Sequence, residues 1–556
     1  MQKAIQELLE KLEPGIDIEK VKRVIAKKYK LLKFPTNIEI IEELDEKQKE
    51  LYKGFLITKP VRTMSGVAPL AIMTKPIACK HGKCTFCPGG PQSIFGDVPQ
   101  SYTGNEPSTM RAIRSNYDSY SIVFNRLQQY ILINQIPQKT EIIIQGGTFC
   151  SFPVDYQEEV IKFTLKALND FSEMFFENNK FNFTKFKEFF ELPGSINDLE
   201  RSSRIQEKIL KIKKEADLEK EQVKNETAII RATAIVIETK PDWCKEEEIN
   251  EILKLGTTRV ELGVQTLKDN ILKATNRGHT IEDTKEAIQL LKDSFLKTTF
   301  HMMPGLPKTT KEEDIEIFKE LFKNSDYKPD SLKIYPCLVM PGTPLFIQYQ
   351  RGEFTPLKTE TAAEIIAESK KFVPEYCRIM RINRDIPNTV IHEGIENTNL
   401  RQFVENKVKE KGIKCKCIRC REPMGRKVDY DALKIKKYNY DSSGGKEVFI
   451  SLEDTKNNIL LGFCRLRKPY KPFRPEITST SAGIRELHVY GQATPIGEEG
   501  PVQHRGFGKK LMEEAEKIAK EEWDCNKLLV ISGIGVKEYY KKLGYNKDGV
   551  YMGKRL

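Results

Sequence analysis

Six short runs rich in β-branched residues, at 67–74, 141–147, 232–239, 258–266, 297–305 and 331–339, constrain the fold of this chain more than any other feature. The segments between the later runs have helical periodicity; in "TIEDTKEAIQLLKDS", Ile281, Ala287, Ile288 and Leu291 share one face. Strands separated by helices pair in parallel, because the chain must return along a crossover before it can run in the same direction again. Residues 60–345 are therefore expected to form one α/β unit with a parallel sheet, its chemistry at the C-terminal strand edge. The interval 170–225 is too long for a crossover and rich in Lys, Glu, Phe and Asn, so an inserted helical or partly mobile excursion is expected there.

The loop "CKHGKCTFCPGGP" follows the first run and carries Cys79, Cys84 and Cys87. The chain has 12 cysteines, and Cys79, Cys84, Cys87, Cys150, Cys415, Cys417 and Cys420 fall in clusters. Clustering of this kind fits metal ligation in a reducing compartment better than a disulfide framework. Three thiolates on one loop cannot close a four-cysteine site, and they suit a [4Fe-4S] cluster with one iron left open. Gly82, Gly89 and Gly90 let the backbone pass close to a bulky group. A structural zinc with a distant fourth ligand is the alternative. The spacing C-x4-C-x2-C has one residue more than the C-x3-C-x2-C usual among radical S-adenosylmethionine (SAM) proteins. In "QGGT", Gly146 and Gly147 expose backbone groups suited to the amino group of a methionine moiety. Glu238 and Gln265 end the third and fourth runs, where a side chain reaches the sheet's mouth and a ribose or carboxylate would lie. The plainer reading of both is a satisfied polar rim.

Beyond residue 345 the pattern changes. A linker, 346–435, contains "CKCIRCRE", in which Cys415, Cys417 and Cys420 form a knuckle one ligand short of tetrahedral zinc. Cys337, at the end of the sixth run, is the favoured fourth ligand, with Cys377 and His392 as alternatives. From 436 to 556 a second unit of α+β character begins. There "QHRGFG", from Gln503 to Gly508, runs into a helix whose Leu511, Met512, Ala515, Ile518 and Ala519 share a face. Backbone N–H groups at a helix start, approached closely because Gly506 and Gly508 lack side chains, form a pyrophosphate site. The order of strand, glycine-rich turn, helix, strand and "EYYKKLGY" resembles the acyl-CoA site of Gcn5-related acetyltransferases, and that resemblance makes Tyr540 or Tyr539 the candidate general acid toward a coenzyme A thiolate, against a core-packing reading.

Formal net charge is +12, and much of it is local: residues 19–33 carry seven Lys/Arg against one Glu. Residues 1–55 are read as a basic helical segment suited to a polyanion. The N-terminus has no apolar signal core and no run of about 18 apolar residues occurs, so a cytoplasmic protein with no membrane partner is expected.

The order "KPVRTMSGVAPLAIMTKP", "CTFCPGGPQS", "SYTGNEPSTMRA", "QGGTF", "IETKPDWC", "ELGVQT", "NRGHT", "HMMPGLP", "RELHVYG", "QHRGFGKKLMEEAE" and "YYKKLGY" resembles the catalytic subunit of Elongator in its archaeal or bacterial stand-alone form. The resemblance covers nearly the whole chain after about residue 55. It implies a radical SAM partial (βα)6 barrel over 56–345 and a Gcn5-related N-acetyltransferase domain over 436–556. It also implies C5 modification of the wobble uridine of tRNA. In that scheme the cluster's electron cleaves SAM, the resulting radical takes hydrogen from the methyl of acetyl-CoA, and the acetyl radical adds to the uridine, leaving a carboxymethyl group. The resemblance assigns acetyl-CoA contacts to Lys139, Glu486, Leu487, His488, Val489, Phe507, Gly508, Lys509 and Tyr540.

Two other functions fit parts of the sequence: a protein lysine acetyltransferase with merely structural cysteines, and a tRNA-binding scaffold with inactive halves. The parallel-sheet layout opposes the first, and intact Cys79, Cys84, Cys87, Gly506, Gly508 and Tyr540 oppose the second. The sequence names no electron donor, and a homodimer is compatible with it.

Overall fold

The computed structural model describes residues 2–13, 16–31, 34–44, 46–52, 56, 66–194, 198–384, 386–395, 399–490 and 506–556. Its centre is a seven-stranded parallel sheet: β1 (Val67–Met73), β2 (Lys139–Gln145), β3 (Arg231–Thr239), β4 (Arg259–Gln265), β5 (Lys297–Met302), β6 (Ser331–Ile334) and β7 (Arg378–Ile382). The strands lie side by side in chain order, and every neighbouring pair is parallel. All six expected strands form. β5 and β6 end earlier than expected, because Pro304 and Gly305 (φ +76°) turn the chain after β5 and Pro336 follows β6. The seventh strand comes from beyond residue 345.

Crossover helices start where their caps say. Thr280 and Thr310 each accept from the backbone three residues on, and Asp283 and Glu313 reach back to complete capping boxes. The described residues of 170–225 are mostly helical, with a short hairpin pairing Phe176–Glu177 with Lys180–Phe181. The phenylalanines there explain why this stretch packs: Phe171, Phe175, Phe186 and Phe190 are fully buried, with Phe171 and Phe175 edge-to-face at 4.6 Å.

A second seven-stranded sheet holds β8 (Leu433–Ser442), β9 (Gly445–Asp454), β10 (Ile459–Lys468), β11 (Ser481–Val489), β12 (Lys527–Val530), β13 (Asn546–Asp548) and β14 (Tyr551–Arg555), in the order β8-β9-β10-β11-β12-β14-β13. The helix Phe507–Lys517 covers one face, burying Phe507, Leu511, Met512 and Ala515. β11 and β12 pair in parallel only from Ser481↔Lys527 to Ile484↔Val530. Among the described residues no strand pairs with that edge of residues 485–489.

The second unit caps the N-terminal edge of the first sheet through buried charge. Arg485 holds Asp330 and Glu447 at 2.5 and 2.9 Å. Arg467 holds Asp293 at 2.6 Å and Glu447 at 3.0 Å, and Lys292 reaches Glu447 at 3.2 Å. Burial opposes the charge on Glu447, yet Arg485, Lys292 and Arg467 hold its carboxyl at about 2. The ring of Phe295 lies so close that a Cβ on Gly483 would meet it at 2.3 Å.

The N-terminal helices pack around Ala4, Leu8, Leu12, Ile25, Ile40 and Ile41. Lys22 is not part of their basic surface: it is 5% exposed and bonded to Glu19 and Asn37. Lys33 lies outside the described residues. Among the described residues no helix is long and apolar enough to cross a membrane.

Candidate active site

A cavity of 350 Å³ opens at the C-terminal edge of the parallel sheet, and Cys79, Cys84 and Cys87 line it. The loop "NRGHT" cradles them. Thr85 N–H donates to the Thr275 carbonyl, and Asn276 donates to that of Lys83. Each sulfur already faces a polar group. Arg277 donates to Cys84 Sγ at 3.2 Å, and His81 Nε2 lies 3.3 Å from the same sulfur. Ser101 N–H donates to Cys87 Sγ at 3.2 Å, and Thr148 Oγ1 lies 3.7 Å from Cys79 Sγ. Burial pushes the Cys87 thiol up to about 11 and raises that of Cys79. Thiolates here therefore need a cation to hold them. Among the described residues the compact ligand groups are Cys415–Cys417–Cys420 and Glu238–Glu261–His301, so the loop cysteines stand wider apart than one ion requires.

The predicted wall residues divide. Gly147 (φ +113°) lines the cavity, and a Cβ on it would lie 4.0 Å from Cys79 Sγ. Gly146 backs onto Thr74, where a Cβ would meet Oγ1 at 2.0 Å, so it serves the turn rather than the cavity. Glu238 lines the cavity, accepts from Tyr102 Oη at 3.2 Å and pairs with Lys333 at 3.7 Å. Gln265 (φ +70°) lines it too, and its Oε1 is buried without a hydrogen bond. Gln145 Oε1 is left in the same state on the neighbouring wall. Two orphaned acceptors beside three thiols fit a polar ligand seated against a cluster.

Beneath the mouth, paired charges descend the inside of the sheet. Lys333 pairs with Glu261, His301 Nε2 lies 3.0 Å from Glu261, and Arg259 joins Glu261 to Glu141 at 3.4 and 2.8 Å. Lys333 pairs with both Glu238 and Glu261, and Arg259 with Glu261, so cations of the protein itself already face these carboxylates.

At the opposite edge lie several of the residues expected to contact acetyl-CoA. Lys139 begins β2, roughly 20 Å from Gln145 at about 3.3 Å per residue. Burial lowers its pKa, as does Arg231 beside it. The loop of the second unit docks there, since a Cβ on Gly535 would meet Arg231 Cβ at 2.3 Å. Glu486 and His488 stand on β11 beyond Ile484; burial lowers His488 to about 4, so it is neutral near pH 7. The Glu486 side chain is committed to Lys297 and Arg465. Gly508 sits between Leu487 and Tyr539, where a Cβ would meet Tyr539 Oη at 2.7 Å. Gly506 begins the helix in the left-handed region (φ +75°), Lys509 is exposed, and Val489 is half-buried at the end of β11. Tyr540 is 6% exposed, with its ring 6.1 Å from that of Tyr545, and burial drives its hydroxyl pKa well up. Gln503 lies outside the described residues.

Cys337 does not join the knuckle. It is fully buried among Cys84, Phe86, Met303 and Leu306 under the cysteine loop. His392 packs against the rings of Phe346 and Tyr349. Cys377 does lie beside the knuckle: its carbonyl accepts from Ile418 N–H, and burial, with Cys417 nearby, raises its thiol pKa. Within the knuckle, Cys417 and Cys420 sulfurs are 3.5 Å apart.

Sequence reasoning assigned no role to His81, Tyr102, Arg277, His301, Lys333 or Arg384. Arg277 and His301 had a signal, since one stands in the quoted "NRGHT" and the other ends a strand. Arg384 had none, because it reaches Ser101 across 283 positions.

Family models match segment by segment: the ELP3 N-terminal domain over 1–64, the Radical SAM superfamily over 77–321, the Radical_SAM C-terminal domain over 329–410 and the Acetyltransferase (GNAT) family over 419–545. The tRNA uridine(34) acetyltransferase of Methanocaldococcus jannaschii is 46% identical over 568 aligned positions, covering 99% of this chain and 97% of that protein. Elongator complex protein 3 of Saccharomyces cerevisiae is 39% identical, covering 96% and 90%. The chain belongs to the Elongator complex protein 3 family. A solved member, the Methanocaldococcus infernus Elp3 lacking residues 1–46, is 41% identical with a TM-score of 0.73, over 89% of this chain and 100% of that one. The radical SAM half-barrel followed by a GNAT-type unit is thus the family's architecture on this chain.

Proposed function

We propose that this protein modifies C5 of the wobble uridine of tRNA, using acetyl-CoA as carbon source and SAM as radical source. One observation carries the reading: the acetyltransferase unit is fixed onto the N-terminal edge of the same sheet whose C-terminal edge holds the cysteine cavity. The names of its relatives supply the substrate. A [4Fe-4S] cluster with SAM supplies a carbon-centred radical for hydrogen abstraction.

The chain's own residues do the rest. Cys79, Cys84 and Cys87 would hold the cluster, with Arg277 and Ser101 N–H stabilising thiolate charge. Gly147, Gln145, Gln265 and Glu238 wall the space for SAM. The open edge of β11 offers backbone groups to the pantetheine, and the start of the Phe507–Lys517 helix, with Gly506 and Gly508, takes the pyrophosphate. Tyr540 stands as acid toward the CoA thiolate, its high pKa keeping it protonated. Cys415, Cys417 and Cys420, with Cys377 adjacent, form a structural zinc knuckle. Such chemistry on tRNA belongs in the cytoplasm.

Anaerobic incubation of the iron-loaded protein with tRNA, SAM, acetyl-CoA and reductant, followed by nucleoside mass spectrometry, tests this. A C5-carboxymethylated uridine at the wobble position is expected. Iron-loaded protein that cleaves SAM yet leaves every nucleoside unchanged would overturn it.

A further inference from the structure

The cysteine loop is one residue longer than the usual spacing between Cys79 and Cys84, and a turn occupies that interval. Gly82 N–H donates to the Cys79 carbonyl at 3.0 Å, with Gly82 in the left-handed region (φ +89°). The turn carries His81 back onto its own loop, so that Nε2 lies 3.3 Å from Cys84 Sγ. The loop "NRGHT" holds it there from the other side. A Cβ on Gly278 (φ +71°) would meet His81 Cβ at 2.7 Å, so only glycine leaves the imidazole this place.

The same loop sends Arg277 to the same sulfur. Its Nη1 donates to Cys84 Sγ at 3.2 Å and its Nη2 to the Gly263 carbonyl at 2.7 Å, and the residue is 7% exposed. Among the described residues no carboxylate pairs with it. Lys240, which also lines the cavity, is by contrast neutralised by Asp242 at 3.2 Å. The three cysteines are thus unequally served. Cys87 has a backbone N–H at 3.2 Å and Cys79 a hydroxyl at 3.7 Å, both neutral, whereas Cys84 has an imidazole and a buried, unmatched guanidinium.

We propose that Arg277 and His81 act through Cys84 as a pair that raises the reduction potential of the cluster. Reduction adds one negative charge, taken as one electron from an external reductant, and hydrogen bonds to the ligand sulfurs and the local net charge set how readily it is accepted. A thiolate sulfur only accepts, so His81 presents its Nε2 hydrogen to it. Inside the protein, where screening is weak, an unmatched cation at that sulfur favours the reduced cluster more than a neutral donor does. Both are positioning residues, since they touch a ligand atom and not the reacting ones. The inference rests on the reading of Cys79, Cys84 and Cys87 as ligands of a [4Fe-4S] cluster and adds which sulfur the protein tunes.

The test is a redox titration of the anaerobically reconstituted full-length protein with titanium(III) citrate, followed by electron paramagnetic resonance, with and without SAM. Arg277→Gln is expected to lower the midpoint by the equivalent of about tenfold in the reduction equilibrium, roughly 59 mV for one electron. Arg277→Lys should recover part of this by keeping the charge, and His81→Leu should lower the midpoint by less than Arg277→Gln. Iron content per chain shows which variants carry an intact cluster, and if Arg277→Gln loses iron, His81→Leu carries the measurement. Unchanged midpoints in iron-replete variants would overturn the proposal. A shift confined to SAM-bound protein would make Arg277 a partner of the SAM carboxylate and also overturn it. Iron-loaded parent protein with no reducible cluster would instead fault the cluster reading.

Discussion

Lys297, the first residue of β5, forms an ion pair with Glu486 on β11 beyond Ile484, and Arg465 Nε donates to the same carboxylate at 2.8 Å. The strand whose His301 lines the cavity is thereby tied at its other end to the strand expected to contact acetyl-CoA. Together with the Arg485 and Arg467 clusters, this makes the two units one body.

Removing one member of such a cluster leaves its buried charge out of balance. Arg485→Met should cost about 3–5 kcal/mol, because Asp330 and Glu447 would lose their shared partner. The chain has 2 tryptophans, Trp243 in the first unit and Trp523 in the second. Single Trp→Phe variants should therefore report coincident urea transitions, and separate midpoints would contradict a single unfolding unit.

Cys84→Ser with Cys87→Ser should abolish iron binding after anaerobic reconstitution while leaving zinc at the knuckle. Full iron content in the double variant would place the cluster elsewhere.

Gly508→Glu should weaken acetyl-CoA binding by about tenfold or more, at least roughly 1.4 kcal/mol. The new side chain must displace Tyr539, whose Oη stands 2.7 Å from the Cβ position, and it puts a carboxylate where pyrophosphate belongs. Unchanged affinity by calorimetry would contradict the site.

The basic helix Ile18–Lys28 should contact tRNA phosphates through Lys20, Arg23 and Lys27, which are exposed. Replacing these three by Ala should weaken binding to many tRNAs alike and flatten the salt dependence by somewhat under one unit per lost contact. Lys22 is left intact because it is buried against Asn37. Equal affinity and slope across a salt series would make this an ordinary charged helix.

The strands were legible where apolar residues run unbroken, as in "AIVIET", because a parallel sheet covered on its faces demands such runs. β7, "RIMRI", was missed since two arginines interrupt a five-residue strand. The cysteine loop, the glycine turn and the helix after Gly506 were legible because each is marked by a compact stretch of sequence. Cys337, and Lys22 within the basic run 19–33, depart from expectation for one shared reason. Residue type states what a side chain can do, while packing decides what it meets, and Cys337 meets the underside of the cysteine loop. Arg384 and Tyr102 show the same limit from the other side, since only the fold brings them together.

The central claim, that both units serve one reaction, is tested most directly by supplying acetyl-CoA deuterated at its methyl group. The account predicts deuterium in the 5'-deoxyadenosine released from SAM, and a modified uridine that retains the remaining label. A modified uridine formed while 5'-deoxyadenosine stays unlabelled would contradict it.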